Sequence, residues 1–198
     1  MTTQEPRRGA RRLAALAALG AAALILSGCA VTFSPGGMGG RDLPDDVNAA
    51  DVMFVEMMIP HHEQAIEMAD LVLDTDGVDP AVIELAEDIK AAQGPEIDQM
   101  EAWLDVWGLP SMGDRGGHGG GHLMDGMMSE EDLQALADAD GPEASRLFLE
   151  QMIEHHEGAI EMAQDLLDDG ENADVRALGE AIITSQQAEI ELMRELLG

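Results

Sequence analysis

The sequence predicts an all-α protein, an antiparallel four-helix bundle assembled from two copies of one helix-pair unit. Three observations lead there. Ala, Leu, Met and Glu dominate, aromatics make up 3% of the 198 residues and Tyr is absent, so helix formers abound and strand formers are scarce. The chain also repeats itself: Phe54 to Leu73 reads FVEMMIPHHEQAIEMADLVL and Phe148 to Leu167 reads FLEQMIEHHEGAIEMAQDLL. Each copy, finally, carries two amphipathic helices that cannot hide their own apolar stripes, so the two pairs must bury them against each other.

The repeat has two matched blocks. The first aligns Phe54 with Phe148, Met58 with Met152, His61 with His155, His62 with His156 and Met68 with Met162, at an offset of 94. The second aligns Gln93, Glu96, Ile97 and Met100 with Gln186, Glu189, Ile190 and Met193, at an offset of 93. One residue has been lost from the turn between them. Each half is a helix, a short Gly/Asp turn and a second helix.

The helical pattern begins near Asp51. Asp79-Pro80 supplies a capping carboxylate followed by a proline at the first helical position, where its missing N–H costs nothing. Gly108 and Pro110 end the second helix. Ser129 and Asp132 form a weak capping box for a short helix through Ala139, and Gly141-Pro142 restarts the chain into the third long helix. Gly170 and Asn172 separate the third from the fourth. Pro60 and Pro95 fall inside helical patterns, where each removes a hydrogen bond and predicts a kink; the second copy has Glu154 and Ala188 there.

The bundle is bounded as residues 48–198, with halves 48–108 and 129–198 joined by a Gly-, His- and Met-rich loop, 109–128. Residues 29–47 read as a flexible tether around Gly36-Gly37-Met38-Gly39-Gly40. Residues 1–28 read as an export signal: Arg7, Arg8, Arg11 and Arg12 precede an Ala/Leu-rich stretch from Leu13 to Leu26, too short for a confident membrane span. Leu26-Ser27-Gly28-Cys29 resembles a bacterial lipobox, which implies lipidation of Cys29 and anchoring to the outer face of the cell membrane. Export by the general or the twin-arginine route is left open. Cys29 is the only cysteine, so no intramolecular disulfide forms.

The formal charge is −30. Without residues 1–28 it becomes −33, from six basic and 39 acidic side chains. Such a surface repels nucleic acid and concentrates cations, although solubility alone accounts for most acidic residues.

Helical projection places Phe54, Met58, Ala65, Met68 and Val72 on one apolar face, with His61 and His62 on its shoulders. His155 and His156 take the same places in the third helix. On the second helix Ile89, Gln93, Glu96, Met100, Trp103 and Trp107 form an inward seam, repeated on the fourth by Ile182, Gln186, Glu189, Met193 and Leu196. One Gln and one Glu per half thus occupy core positions. A buried carboxylate is costly unless paired or bound to a cation, and imidazole is the commonest metal ligand. The candidate metal ligands are therefore His61, His62, His155, His156, Glu96 and Glu189, with Met58 and Met152 as thioethers on the same face. His with Met favours copper, above all Cu(I); His with Glu suits zinc or iron. His118, His122 and Met124 in the loop are auxiliary candidates. Against a metal stands a purely structural role, in which His61 and His155 bond Glu96 and Glu189 as a polar seam that sets helix register.

The segments PHHEQAIEMA (60–69) and EHHEGAIEMA (154–163), with the later Q-x-x-E-I-x-x-M blocks, resemble the domain-of-unknown-function 305 family (DUF305) over nearly all of residues 48–198. The resemblance implies a ferritin-like four-helix fold, export or membrane attachment, and an association with copper handling at Met58, His61, His62, Met152, His155 and His156. Di-iron ferritin-like proteins use Glu-x-x-His. Met58 and Met152 stand at that Glu position, which speaks against di-iron chemistry.

The expected function is copper sequestration or relay in the cell envelope, without covalent catalysis: no Ser/His/Asp set, free reactive cysteine or phosphate loop is evident. The alternatives are a metal-dependent oxidase and a metal-free structural module. Homodimerisation through an exposed helix face stays open.

Overall fold

In the computed structural model, residues 43–110 and 126–198 are described, and they contain five helices and no strand. They run α1 (Ala49–Leu73), α2 (Pro80–Trp107), α3 (Glu130–Asp138), α4 (Gly141–Asp169) and α5 (Ala173–Leu197). The export signal, Cys29, His118, His122 and Met124 lie outside the described residues.

The helix boundaries follow local chemistry. Asn48 caps α1, accepting from the backbone N–H of Ala50 and Asp51, while the Asp51 side chain accepts from Asn48 N–H. This reciprocal box starts α1 two residues before the predicted point. Asp79 caps α2 ahead of Pro80, and Gly108 ends it in the left-handed region at φ 68°, where a side chain would be strained. Ser129 and Asp132 form a full capping box on α3. Asp140 caps α4, and Asn172 caps α5. Helices α1 and α2 run unbroken through Pro60 and Pro95; tertiary packing outweighs the one hydrogen bond that each proline removes.

Helix α2 packs along α1 and α5 along α4, while α1 and α4 lie in direct contact at the centre of the bundle. Helices α2 and α5 barely touch, and α3 lies over both α1 and α4. Because α1 and α4 are antiparallel partners, each end of the bundle combines the two termini of one half with the turn of the other. The apolar core accordingly falls into two clusters. The first joins Ala65, Met68, Val72, Val82, Leu85, Ile89, Phe148, Met152 and Met193, with Leu136 of α3. The second joins Phe54, Met58, Met100, Leu104, Trp107, Ala159, Ala163, Leu166 and Ile182. The gap between them falls, on every long helix, at the residues that carry His, Gln and Glu.

The predicted apolar face of α1 is fully realised, since Phe54, Met58, Ala65, Met68 and Val72 are all buried. The seams on α2 and α5 hold as far as Met100 and Met193. Beyond that, Trp107 is buried as the seam requires, but Trp103 is only partly so, Leu104 is buried beside it, and Leu196 is exposed. The end of α5 borders a surface cleft with Val82 and Leu149, which leaves Leu196 partly in water.

Tertiary ties link the halves. The Asp51 carboxylate is fully buried and accepts from the backbone N–H of Glu171 and Asn172 at the α4–α5 turn, at 3.3 and 3.1 Å. Its repeat counterpart Ser145 accepts from Asp79 N–H at 3.0 Å, so each half caps the turn of the other. A Cβ on Gly141 would lie 2.2 Å from the Gly77 carbonyl carbon, so the α1–α2 turn and the start of α4 touch backbone to backbone. Among the described residues no helix is long and apolar enough to cross a membrane.

Candidate metal centre

His61, His62, His155 and His156 are all fully buried, at 0% exposure. Two apolar shoulders per helix put them there. On both α1 and α4 the first His of the pair points along the α1–α4 contact and the second points towards the partner helix of its own half. The rings of His61 and His155 therefore meet across the centre, with centroids 3.8 Å apart and planes inclined by 42°. His62 turns to α2, where its Nε2 lies 2.8 Å from Glu96 Oε2. His156 turns to α5, 2.6 Å from Glu189 Oε2. The Glu partners belong to the second His of each pair, whereas the register-seam reading had assigned them to His61 and His155. The difference is one of helical phase: a 100° step between neighbours decides which ring reaches the next helix, and projection alone left both on the shoulders.

A carboxylate only accepts, so each of these bonds requires the imidazole proton on Nε2. In the neutral ring Nδ1 is then a free acceptor. The Nδ1 atoms of His62 and His156 are buried and have no hydrogen-bond partner. Glu96 and Glu189 remain about one-fifth exposed, so each carboxylate stays in contact with water while its histidine is dry.

His155 is held well below the ordinary imidazole value of 6.5, first by burial and then by repulsion from His61, His156 and His62. A weaker bond to the His61 backbone opposes this. The ring is therefore neutral near neutral pH, the state in which imidazole can donate a lone pair.

Gln93 and Gln186 lie one turn before Glu96 and Glu189 on the same faces, at 3% and 2% exposure. Neither the Gln93 amide nitrogen nor its oxygen has a partner, and Gln186 Oε1 also lacks one. The sequence marked both as polar residues in a core seam without assigning them to the centre. Met58 and Met152 are fully buried, one in each apolar cluster, so they flank the histidine layer from opposite ends. Among the described residues, no three His, Cys, Asp or Glu side chains form a ready-made ligand set; these thioethers are the further donors on the layer's own faces.

One contact at the edge of the layer was not anticipated. The Gln64 side-chain amide donates to Met128 O at 2.9 Å, and its oxygen accepts from Met128 N–H at 2.7 Å. Gly126, at φ 82°, would carry its Cβ 2.8 Å from the Gly158 Cα. The segment leading into α3 is thus fastened to α1 and pressed on α4 within a turn of the histidines. Only the Gly at 158 against the Gln at 64 hinted at it.

The chain belongs to the family described as domain of unknown function (DUF305), whose profile matches residues 51–197. It is similar to a DUF305 fragment from Deinococcus radiodurans, at 34% identity and TM-score 0.67, covering 77% of this chain and 97% of that one. It is similar to a DUF305 protein of Streptomyces coelicolor described as a candidate secreted protein, at 35% identity and TM-score 0.66, covering 75% and 91%. It is also similar to the protein CopM in its Cu(II)-bound form, at 37% identity and TM-score 0.63, covering 74% and 95%. No protein of curated function matches the chain.

Proposed function

We propose that this protein is an exported copper-binding protein, anchored through a lipidated Cys29 at the outer face of the cell membrane, which holds the ion or passes it on. The observation that carries the reading is the dry, pseudo-symmetric layer of four histidines, in which the Nδ1 atoms of His62 and His156 have no partner. Leaving buried polar atoms unmatched costs about 1–3 kcal/mol each, and a bound cation offsets that cost. The similarity to CopM, which is known in Cu(I)- and Cu(II)-bound forms, supports copper among the metals that a His/Met set accepts.

Within this reading Glu96 and Glu189 orient His62 and His156 from behind rather than ligate directly, as carboxylates do for many metal-bound histidines. Met58 and Met152 add soft donors suited to Cu(I), and His118, His122 and Met124 act as auxiliary capture groups. Zinc and iron remain comparison ions for the same donors. Anaerobic Cu(I) titration of residues 30–198 should give tight binding that is lost when both His pairs become Ala, with helicity retained. Affinity that survives the change refutes the histidine layer as the site.

The His62–Glu96 and His156–Glu189 bonds tie the two helices of each half together, which favours one rival, a metal-free layer that sets helix register. Thermal stability separates the two. A ligand bound only by the native state must raise the melting temperature, so unchanged melting with copper, zinc or iron supports the rival.

A further inference from the structure

A cleft of about 300 Å³ lies on the outer surface between the start of α1 and the end of α4. Met53, Met57 and Met162 line it, together with Asp165 and Asp169. Its floor is Phe54 and Leu166, both buried in the second apolar cluster. Met53 and Met57 are one helical turn apart, and Met162, Asp165 and Asp169 follow one face of α4. Met53 is 57% exposed, and Met57 and Met162 are partly so. These thioethers line the cleft, with Met162 also packed on the core beneath it.

The repeat shows what this surface is at the other end of the α1–α4 contact. The offset of 94 maps Met53 to Leu147, Met57 to Gln151, Met162 to Met68, Asp165 to Leu71 and Asp169 to Thr75. That equivalent seam is covered by α3: Gln151 donates to Asp132 O at 3.0 Å, and Leu147 and Leu71 pack on the cluster that contains Leu136. The open end of the α1–α4 seam has exchanged the residues that receive a helix. Two carboxylates replace Leu71 and Thr75, and burying them under an apolar partner would be costly. Three neutral sulfur donors beside two anionic oxygens instead make a set for a soft, singly charged cation: thioethers select Cu(I), and the carboxylates balance its charge.

We propose that this cleft is a second, surface site for a soft monovalent metal ion, Cu(I) or Ag(I), held by Met53, Met57 and Met162 and drawn in by Asp165 and Asp169. The proposal shares the ion class of the histidine layer but not its residues. Each therefore stands or falls alone.

Ag(I), which does not change oxidation state, is titrated into the whole protein carrying 13C-methyl methionine, and methyl resonances are followed. The methyls of Met53, Met57 and Met162 should shift together within the first equivalents. Met53→Leu/Met57→Leu/Met162→Leu, which conserves side-chain volume, should bind one equivalent fewer with an unchanged circular dichroism spectrum. Asp165→Asn/Asp169→Asn should weaken that equivalent several-fold. Replacing the four histidines by Gln should leave the three methyl shifts in place if the protein stays folded; Zn(II), a poor match for thioethers, should shift none of them. An unchanged stoichiometry in the triple Leu protein overturns the proposal. So do methyl shifts that depend on protein concentration rather than on Ag(I), which would mark the cleft as a contact between protein molecules.

Discussion

The two halves of the molecule descend from one pattern, yet they keep it only inside. Phe54 and Phe148, Met58 and Met152, the two His pairs, and the two Gln/Glu pairs occupy equivalent buried or half-buried places. Outside, the halves part. One α1–α4 seam is roofed by α3 and the other is an open cleft; Gln64 holds the lead-in to α3, while its counterpart Gly158 makes room for Gly126. Asp51 and Ser145 perform the same cross-half capping with different chemistry. The interior of a duplicated bundle is constrained twice, by packing and by its partner half, whereas each outer seam answers only to what lies on it.

The largest effect tests whether the apolar clusters are one folding unit. Phe148→Ala and Phe54→Ala should each cost about 3–5 kcal/mol, one in each cluster. Trp103 and Trp107 report only on the second cluster, so coincident urea transitions by tryptophan fluorescence and by circular dichroism are expected for both proteins. Separated transitions would show that the histidine layer divides the bundle energetically as well as spatially.

Capping across the halves is next. Removing the Asp51 carboxylate leaves backbone N–H groups of Glu171 and Asn172 without their acceptor. Asp51→Ala should lose roughly 1.5–3 kcal/mol, the range for hydrogen bonds to a charged group, while Ser145→Ala should lose about 1 kcal/mol. Equal losses in urea denaturation would deny the difference between the halves.

Gln64→Ala should cost about 1–2 kcal/mol for its two bonds to Met128. Protease cleavage before α3 should speed up more than global unfolding does. Identical acceleration of both would mean that Gln64 does not hold this segment separately.

The smallest effect is a gradual one with pH. The imidazole of His155 is depressed in the folded state, so the unfolded chain binds its proton first. Stability from this group is complete above about pH 6.5, the ordinary imidazole value, and declines as pH falls below it towards the lower folded value. Urea midpoints of the metal-free protein should show the decline, and His155→Gln should flatten it. An unaltered slope in that variant would assign the acid sensitivity elsewhere.

Much of this architecture is written along the chain. Periodicity set the apolar faces of the long helices, because a 3.6-residue turn makes burial a local regularity. Asp79-Pro80, Gly108, Ser129-Asp132 and Asn172 marked helix ends through bonds that close within three residues. The doubled His-His and Q-x-x-E signals named the polar layer for the same reason. Three-dimensional proximity decided the remainder. That His61 faces His155 while His62 and His156 take the Glu residues depends on the phase between packed helices. Asp51 reaching Asn172 and Gln64 reaching Met128 span 121 and 64 residues, and the surface methionines acquire a common cleft only where α1 and α4 run side by side. Local sequence states which face of a helix is buried; only the packed structure states what that face meets.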